Sequence, residues 1–436
     1  MRQELPIDRP NILGIASTWI LGLILLVFAS NVGFSFEHGS INTQEGASAQ
    51  GIVSATSSED SFVLRAQTFI IYLMCAIVML PFVRQIATQF RRNPIISALL
   101  LWAICSAVWS QDAQASLIGA VYLTANFAFV FYLVERVSSN DLLNLVVLVG
   151  FLAATGSLIL IVAFPQYGLM NRDLRAAGAW QGIFVQKNIC GEAMGILLMP
   201  VFFVRIHSQL ARLFRATYIV VFSLIIAMTK STGAWIICGL SVAFIFLMRL
   251  AARMKQKDAF LIVSFTFITM IIIGVLSISF AQEILPIFGK DPTLTGRGTI
   301  WAKVMLSILK KPILGYGYRA FWLGLHGESA NTALATWAGI SYSENGVLDL
   351  WLELGVVGVA LYIFLFARAV KDAIYCFQRN ASPFVMWCSL MLFIVAISNI
   401  EGGTLLFPSD LSCILSFVAF VGLQGEARRL RSVQPG

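Results

Sequence analysis

Charged side chains that could do chemistry are concentrated in two polar stretches of an otherwise apolar sequence. The first stretch carries three cations, Arg172, Arg175 and Lys187, and Asn188 follows the lysine directly. Guanidinium and ammonium groups bind phosphates and carboxylates, so this stretch could bind an anionic ligand. The arginines could equally pair with Asp173 or with lipid phosphates, and the sequence leaves both interpretations open.

The second stretch, residues 282–344, contains a predicted helix with an arginine at its start. Apolar residues recur with helical spacing from Ile300 onward, which gives one apolar stripe opposite three lysines. Arg297 precedes this pattern and Pro312 follows it. We expect the helix to lie flat on the outer leaflet and its amino-terminal amides, with Arg297, to bind phosphate. Contact of Arg297 with a lipid headgroup or an acidic side chain is the alternative.

The second stretch ends in acidic residues that run directly into an apolar segment. Asp349 and Glu353 are four residues apart, so both share a helix face with Asn345. A carboxylate at the centre of a bilayer costs about 2.5 to 3.5 kcal/mol, so we expect both to face the protein interior. We expect Glu353 to lie near the interface as a partner for outer arginines. Glu344 lies at the water boundary, where a carboxylate could act as an acid or base.

The elements that must position these residues are transmembrane helices. Of the 436 residues, 58% are hydrophobic and 12% are charged, whereas soluble domains carry roughly 25% charged residues. Apolar runs are unbroken, unlike the alternating strands of a membrane barrel. The sequence therefore predicts an all-α polytopic integral membrane protein with about twelve spans. They are residues 12–33, 66–84, 95–109, 117–134, 142–164, 189–204, 217–229, 232–248, 259–281, 346–367, 383–400 and 407–424.

The distribution of basic residues predicts the orientation of these spans. With the amino terminus in the cytoplasm, most of the 30 basic residues fall on the cytoplasmic side, and both termini lie there. The net charge of +8 then reports orientation and does not indicate nucleic-acid binding. The absence of a linker predicts one domain over residues 1–436, with residues 282–344 as its large outer loop. The scattered histidines and cysteines predict no metal site, and no cofactor motif occurs.

Four segments resemble, in order, motifs of the O-antigen ligase and Wzy-type polymerase superfamily, most closely its exopolysaccharide branch of the succinoglycan type. Two family histidines are replaced, one by Gln186 and one by Glu344. The resemblance covers about residues 100–360. The segments are Trp109-Ser110-Gln111-Asp112, Trp180-Gln181-Gly182-Ile183-Phe184 with Lys187-Asn188, Thr295-Gly296-Arg297 with Pro312, Gly315 and Gly317, and Glu344-Asn345-Gly346 with Asp349 and Glu353-Leu354-Gly355.

The resemblance implies a GT-C-like fold and a glycosyltransferase of the bacterial inner membrane. Its substrate would be an undecaprenyl-diphosphate-linked oligosaccharide, polymerised at the periplasmic face by inverting, metal-independent transfer without a cofactor. Arg297 would stabilise the departing diphosphate and Glu344 would serve as the base. A chain-length regulator and export components are the implied partners. The residues implied to bind diphosphate or saccharide are Arg172, Arg175, Lys187, Asn188, Arg319 and Asn345.

Three other functions remain open at the level of sequence. The same chemistry could ligate a finished glycan to lipid A core or to another acceptor. A transporter of lipid-linked saccharides would also gather outward cations, although transporters carry their charges near the middle of the membrane. A non-catalytic assembly component would explain the two replaced histidines.

Overall fold

The computed structural model describes the chain in segments that leave gaps between them. Of residues 297, 299, 400 and 401 it describes only the backbone. The described residues are 20, 21, 24, 69, 70, 72–170, 177–184, 186–206, 208–254, 297–323, 327–332, 342, 343, 345–401, 405–407 and 410–432.

The described residues are mainly helical. They also form one small antiparallel sheet, a hairpin of two strands of two residues each, β1 (Leu169–Met170) and β2 (Ala179–Trp180). Apart from the single turn Pro165–Gly168 and short 3-10 segments, the helices in chain order are α1 (Tyr72–Arg92), α2 (Pro94–Cys105), α3 (Ala113–Arg136), α4 (Ser139–Ala163), α5 (Lys187–Leu198), α6 (Gln209–Met228), α7 (Thr232–Ala251), α8 (Arg297–Lys310), α9 (Gly346–Arg379), α10 (Pro383–Glu401) and α11 (Leu411–Ser432).

The protein is an all-α polytopic membrane protein, as the sequence predicts, but the count of twelve spans is not confirmed. Within the described ranges, seven helices are long and apolar enough to cross a bilayer, and α2 and α10 are shorter apolar helices. The predicted span 189–204 corresponds to the 12-residue α5 followed by a 3-10 turn. The predicted span 259–281 and nearly all of 12–33 lie outside the described residues.

Short polar side chains set where several of these helices begin. Asp112 caps α3 by accepting a hydrogen bond from the amide of Ala115 at 2.9 Å. Ser138 and Ser208 cap α4 and α6 in the same way. Each cap satisfies an amide that the helix itself leaves without an acceptor, which matters most in a membrane.

The predicted division of residues 217–248 into two helices is confirmed. Helix α6 ends at Met228, and α7 begins at Thr232 with Ser231 as its cap. Lys230 lies in the break with φ of 52°, the left-handed region that non-glycine residues rarely adopt. Two helices form because a single one over this whole run would exceed the hydrocarbon thickness of about 30 Å.

The core lies where α9, α10 and α11 pack on one another and on α2, α3 and α7. Aromatic side chains fill it, including the stacked pair Phe244 and Phe393, whose ring centres are 4.4 Å apart. The outer faces of these and other long helices expose large apolar residues such as Val162, Phe246 and Phe364. Exposed apolar surface of this extent on long helices is the surface that faces lipid.

The predicted helix in the large loop is confirmed as α8, although its apolar stripe does not face outward as a whole. Ile300, Val304 and Ile308 are buried in a small second core with Tyr316 and Phe321, among other residues. Met305 and Leu309, from the same stripe, are exposed. Part of the stripe therefore packs on the protein, so α8 does not use all of it against a leaflet.

Candidate functional site

Helix α9 is broken at Gly355, and the break builds the centre of the candidate site. Gly355 has φ of 66° and ψ of −173°, a conformation that is nearly restricted to glycine. A Cβ atom there would overlap the carbonyl oxygen of Ile313. The glycine of the Glu353-Leu354-Gly355 segment thus lies where a second backbone segment approaches the helix closely.

The approaching backbone is residues 312–318, which bond to the carbonyls that the break leaves free. The amide of Tyr316 donates to the carbonyl of Leu352 at 2.8 Å, and the amide of Gly317 donates to that of Glu353 at 2.9 Å. The phenol of Tyr316 donates to Ser307 in α8, and burial raises the pKa of Tyr316 to about 12. This connection therefore ties α8 to α9.

The segment Trp109-Ser110-Gln111-Asp112 joins the same assembly. The indole N–H of Trp109 donates to the backbone carbonyl of Leu314 at 3.0 Å. The backbone amide of Gln111 donates to the backbone carbonyl of Tyr316 at 3.1 Å. Three of the four segments that carry the sequence resemblance therefore meet at one place, and the W-S-x-D segment acts there as a structural support.

A cleft opens beside this assembly, and we call it the Arg319 cleft. It contains two buried carboxylates and one arginine. Its lining residues are Arg319, Trp322, Tyr342, Gly346, Asp349, Leu350, Glu353, Leu405, Leu406 and Phe407. Asp349 and Glu353 face the protein interior, as the sequence predicts.

Asp349 fixes the backbone just before α9. Its carboxylate accepts the amide of Ser343, at 2.9 Å and 3.1 Å for its two oxygens, and the indole N–H of Trp322 at 2.9 Å. Asn345 caps α9, its side-chain oxygen accepting the amides of Val347 and Leu348 at 3.1 Å each. The residues on both sides of position 344 are therefore held by hydrogen bonds to α9.

Arg319 is the cation of this cleft. Its backbone is left-handed, with φ of 59°, and its backbone amide bonds to the Glu353 carboxylate. Its guanidinium stacks on the ring of Phe407 at 3.9 Å from the ring centre. Among the described residues it forms no ion pair within 4.0 Å, although its charge acts on both Asp349 and Glu353 of the same cleft.

Helix α8 begins close to the same place. The indole of Trp301 donates to the carbonyl of Ser343 at 3.0 Å. Arg297 is the first residue of α8, one helical turn before Trp301. The bond therefore joins the first part of α8 to the residue that precedes position 344. The side chain of Arg297 and the whole of Glu344 lie outside the described part of the chain.

A second group of cations forms at the start of α5. The ammonium of Lys187 donates to the carbonyl of Lys230 at 3.4 Å, and the ammonium of Lys230 donates to that of Ala177 at 3.3 Å. The amide of Gln186 donates to the hydroxyl of Tyr342 at 3.2 Å, which connects this group to the Arg319 cleft. We call Lys187 and Lys230 the lysine pair.

The remaining predicted binding residues are distributed unevenly around these two groups. Asn188 is exposed at the start of α5. Arg172 and Arg175 belong to residues 171–176, which connect β1 to β2 and lie outside the described residues. The amide oxygen of Asn345 is occupied by its role as a cap, which was not expected from the sequence.

Other cations of the large loop have partners within the protein. Lys310 forms an ion pair with Glu328, and Lys311 lies over the ring of Tyr316 at 4.9 Å from its centre. These two lysines therefore have structural roles, and an anionic ligand is not needed to account for their charge.

Sequence reasoning missed Lys230 and Trp322 as residues of the site. The sequence places Lys230 only between the predicted spans 217–229 and 232–248, although a lone lysine between two apolar runs is a signal in itself. Trp322 had no comparable signal, because its bond to Asp349 depends on how two distant segments pack. Among the described residues, no three histidine, cysteine, aspartate or glutamate side chains meet as a metal ion would require.

Two comparisons with known proteins find similar sequences. Residues 217–363 match the family model of O-antigen ligases, a range that contains Lys230, Arg297, Arg319 and Glu353. The chain is also similar to the exopolysaccharide production protein ExoQ of Rhizobium meliloti (strain 1021), with 30% identity over 90 residues, 20% of this chain and 20% of that protein. The match thus spans about a fifth of the length of that relative. With these two similarities, the resemblance to the O-antigen ligase and Wzy-type polymerase superfamily is confirmed.

Proposed function

We propose that this protein polymerises undecaprenyl-diphosphate-linked oligosaccharide units into exopolysaccharide, by inverting, metal-independent glycosyl transfer at the periplasmic face of the bacterial inner membrane. The observation that carries the proposal is the bond from Trp301 to Ser343. It joins Trp301, one turn after Arg297 at the start of α8, to Ser343, the residue before Glu344 and next to Tyr342 of the cleft that contains Arg319. A cation and a carboxylate at one place are what such a transfer requires.

The chemistry follows from the charges that change during transfer. An acceptor hydroxyl attacks the anomeric carbon on the face opposite the diphosphate, and its proton passes to Glu344. The bond from that carbon to the diphosphate oxygen breaks, and its electron pair stays on the diphosphate. Without a metal ion, that developing charge must be met by guanidinium and ammonium groups, a role that Arg297 and Arg319 would share.

The lysine pair supplies a second set of donors for the diphosphate. Lys187 and Lys230 come from two different elements, and Gln186 connects them to Tyr342 at the Arg319 cleft. Arg172, Arg175 and Asn188 would add contacts from the same side, and Asn345 would act through its capping of α9.

The test is reconstitution of the purified protein in liposomes with a lipid-linked oligosaccharide, measuring released undecaprenyl diphosphate and the length of the glycan. We expect Arg297→Ala to abolish release and Glu344→Gln to lower turnover more than donor binding. Lys303→Gln, on the same helix, is the control and should retain activity. Normal release from Arg297→Ala would refute the proposal.

The same assay separates polymerisation from ligation, which the name of the matched family favours as the second candidate. A polymerase yields a ladder of glycans on the lipid diphosphate, whereas a ligase yields one glycan on a different acceptor. A transporter would move the lipid across the bilayer and release no undecaprenyl diphosphate. Dependence of glycan length on added chain-length regulator would test the proposed partner.

A further inference from the structure

Gly119 lies near the start of α3, and its own backbone does not require a glycine. It is buried within the helix, and its backbone is not left-handed. In a helix interior, glycine is less favourable than alanine by about 1 kcal/mol. What a glycine supplies at this position is therefore space on the face of α3.

That space is occupied by the side chain of Arg319. A Cβ atom at position 119 would lie 2.8 Å from Cγ of Arg319 and 3.2 Å from its Cβ. It would also lie 3.2 Å from Cε1 of Tyr318. Carbon atoms in contact are about 3.5 to 4.0 Å apart, so the first carbons of the Arg319 side chain would overlap such a group. The side chain therefore crosses α3 where the helix carries no side chain of its own.

The backbone around Arg319 is held on both sides and cannot move to relieve this overlap. The amide of Tyr318 donates to the hydroxyl of Ser106 at 2.9 Å, and the amide of Arg319 bonds to a carboxylate of α9. The side chain of Gln111 donates to the carbonyl of Ala320. A group added at position 119 would therefore displace the arginine side chain and leave its backbone in place.

The far end of the same side chain rests on Phe407, which lies between α10 and α11. The guanidinium carbon is 3.9 Å from the centre of that ring, and no ion pair within 4.0 Å fixes the guanidinium among the described residues. Its position is therefore set by packing. A rotation about the first bonds of the side chain moves the guanidinium further than it moves Cγ, so a small overlap at α3 removes the ring contact.

We propose that Gly119 is a positioning residue, whose missing side chain allows Arg319 to cross α3 and place its guanidinium on Phe407. The consequence for the donor rests on the proposed function, whereas the placement itself does not. A larger residue at position 119 keeps the charge of Arg319 in the protein and moves it. A misplacement of roughly 1 Å can lower a rate by about a hundredfold, so the donor diphosphate would be less well stabilised.

The first experiment measures placement without any reaction. Phe407 is replaced by para-fluorophenylalanine in the full chain, and its fluorine NMR resonance is recorded in detergent. Arg319→Gly should shift the resonance, because it removes a cation from the ring, and Gly119→Ala should shift it in the same direction. Gly239→Ala, whose added Cβ meets open space in α7, should leave it unchanged. A resonance that Gly119→Ala leaves unmoved would overturn the proposal.

The second experiment asks whether the effect on the donor passes through Arg319. Gly119→Ala alone should lower kcat/KM for the lipid-linked donor by about tenfold. In the Arg319→Gly background it should cause no further loss, because the group that it displaces is gone. Equal losses in both backgrounds would indicate a general packing defect and would also overturn the proposal.

The two experiments separate a failure of this proposal from a failure of the proposed function. A shifted resonance with unchanged kcat/KM in Arg319→Gly would support the placement and refute the role of Arg319 toward the donor. Where Gly119→Ala fails to fold, thermal unfolding of the double variant decides. Recovered stability on removal of the Arg319 side chain supports the contact, and a double variant that also fails to fold contradicts it.

Discussion

The two ends of α9 carry the same residue types and use them differently. At the carboxyl end, Arg431 bonds directly to Asp372, so the carboxylate serves to hold a cation. At the amino end, Asp349 and Glu353 bond to backbone amides and an indole, and Arg319 has no described carboxylate within 4.0 Å.

This difference shows that the carboxylates of a single helix can fix one arginine in an ion pair and leave another arginine available to a ligand. At the carboxyl end, the ion pair between Asp372 and Arg431 stabilises the packing of α9 on α11. At the amino end, Asp349 and Glu353 accept hydrogen bonds from backbone amides instead. They fix the loop before α9 and leave Arg319 facing a cleft. A cation kept in this way is available to an anionic substrate, and its field is strong because the surroundings are poorly hydrated.

The break at Gly355 makes the amino end possible, so its removal has the largest expected effect. Gly355→Ala should lower the free energy of unfolding by about 3 kcal/mol or more, because of its backbone conformation and its overlap with Ile313. Thermal unfolding of the detergent-solubilised protein measures this. Gly239→Ala, whose added Cβ meets open space in α7, should keep its stability; equal losses in both variants would contradict the role of the break.

Substitution of Arg319 tests directly whether the amino end of α9 acts on the substrate. Arg319→Gln should reduce kcat/KM for the lipid-linked donor by about a hundredfold, or ~2.7 kcal/mol, while the protein remains folded. Arg429→Gln, near the carboxyl end of α11, should retain full turnover. If the two variants are equally active, Arg319 has no role beyond its contact with Phe407.

Substitution of Asp372 tests whether the charges at the carboxyl end of α9 stabilise the fold. Asp372→Ala leaves Arg431 without its carboxylate and should cost about 2 kcal/mol of stability, since the lost bond is charge-assisted and one partner is buried. Glu426→Ala breaks the longer and more exposed pair with Arg429, at 3.6 Å, and should cost roughly 0.5 kcal/mol or less. Chemical denaturation of both variants measures the difference, and a reversed order would refute the assignment.

Lys230 gives the smallest expected effect on stability and separates backbone strain from charge. Lys230→Gly relieves the left-handed backbone and should change stability by less than about 1 kcal/mol, toward the more stable side. The loss of its charge should raise the donor KM roughly tenfold. Lys230→Ala should raise KM equally without the gain in stability, and an unchanged KM in both would exclude the lysine pair from donor binding.

The sequence predicted the helical elements well, because apolar periodicity and capping residues act over a few residues. The hinge near Lys230 and the helix after Arg297 follow from local pattern, and both are confirmed. The inward orientation of Asp349 and Glu353 follows from the cost of burying a charge in lipid. The roles of Arg297 and Glu344 stay predictions, as does the single domain.

Other features were beyond the sequence because they depend on contacts between distant segments. The bonds of residues 312–318 to the break in α9, and that of Trp322 to Asp349, join positions that no local pattern relates. The same holds for Lys187 and Lys230, which lie in different elements. The ion pair of Lys310 with Glu328 likewise joins two separate segments of the large loop, so the sequence did not show that this lysine has a partner.

The sequence by itself determined that this chain is a helical membrane protein, where its charges fall along the chain, and which superfamily it resembles. Burial in lipid and helix periodicity are local rules, and they act on every residue in the same way. Only the tertiary structure decided which charges are used for packing and which face a cleft. That decision depends on the distance between each cation and its nearest carboxylate, and at the amino end of α9 the break at Gly355 positions Arg319 by admitting the backbone of residues 312–318.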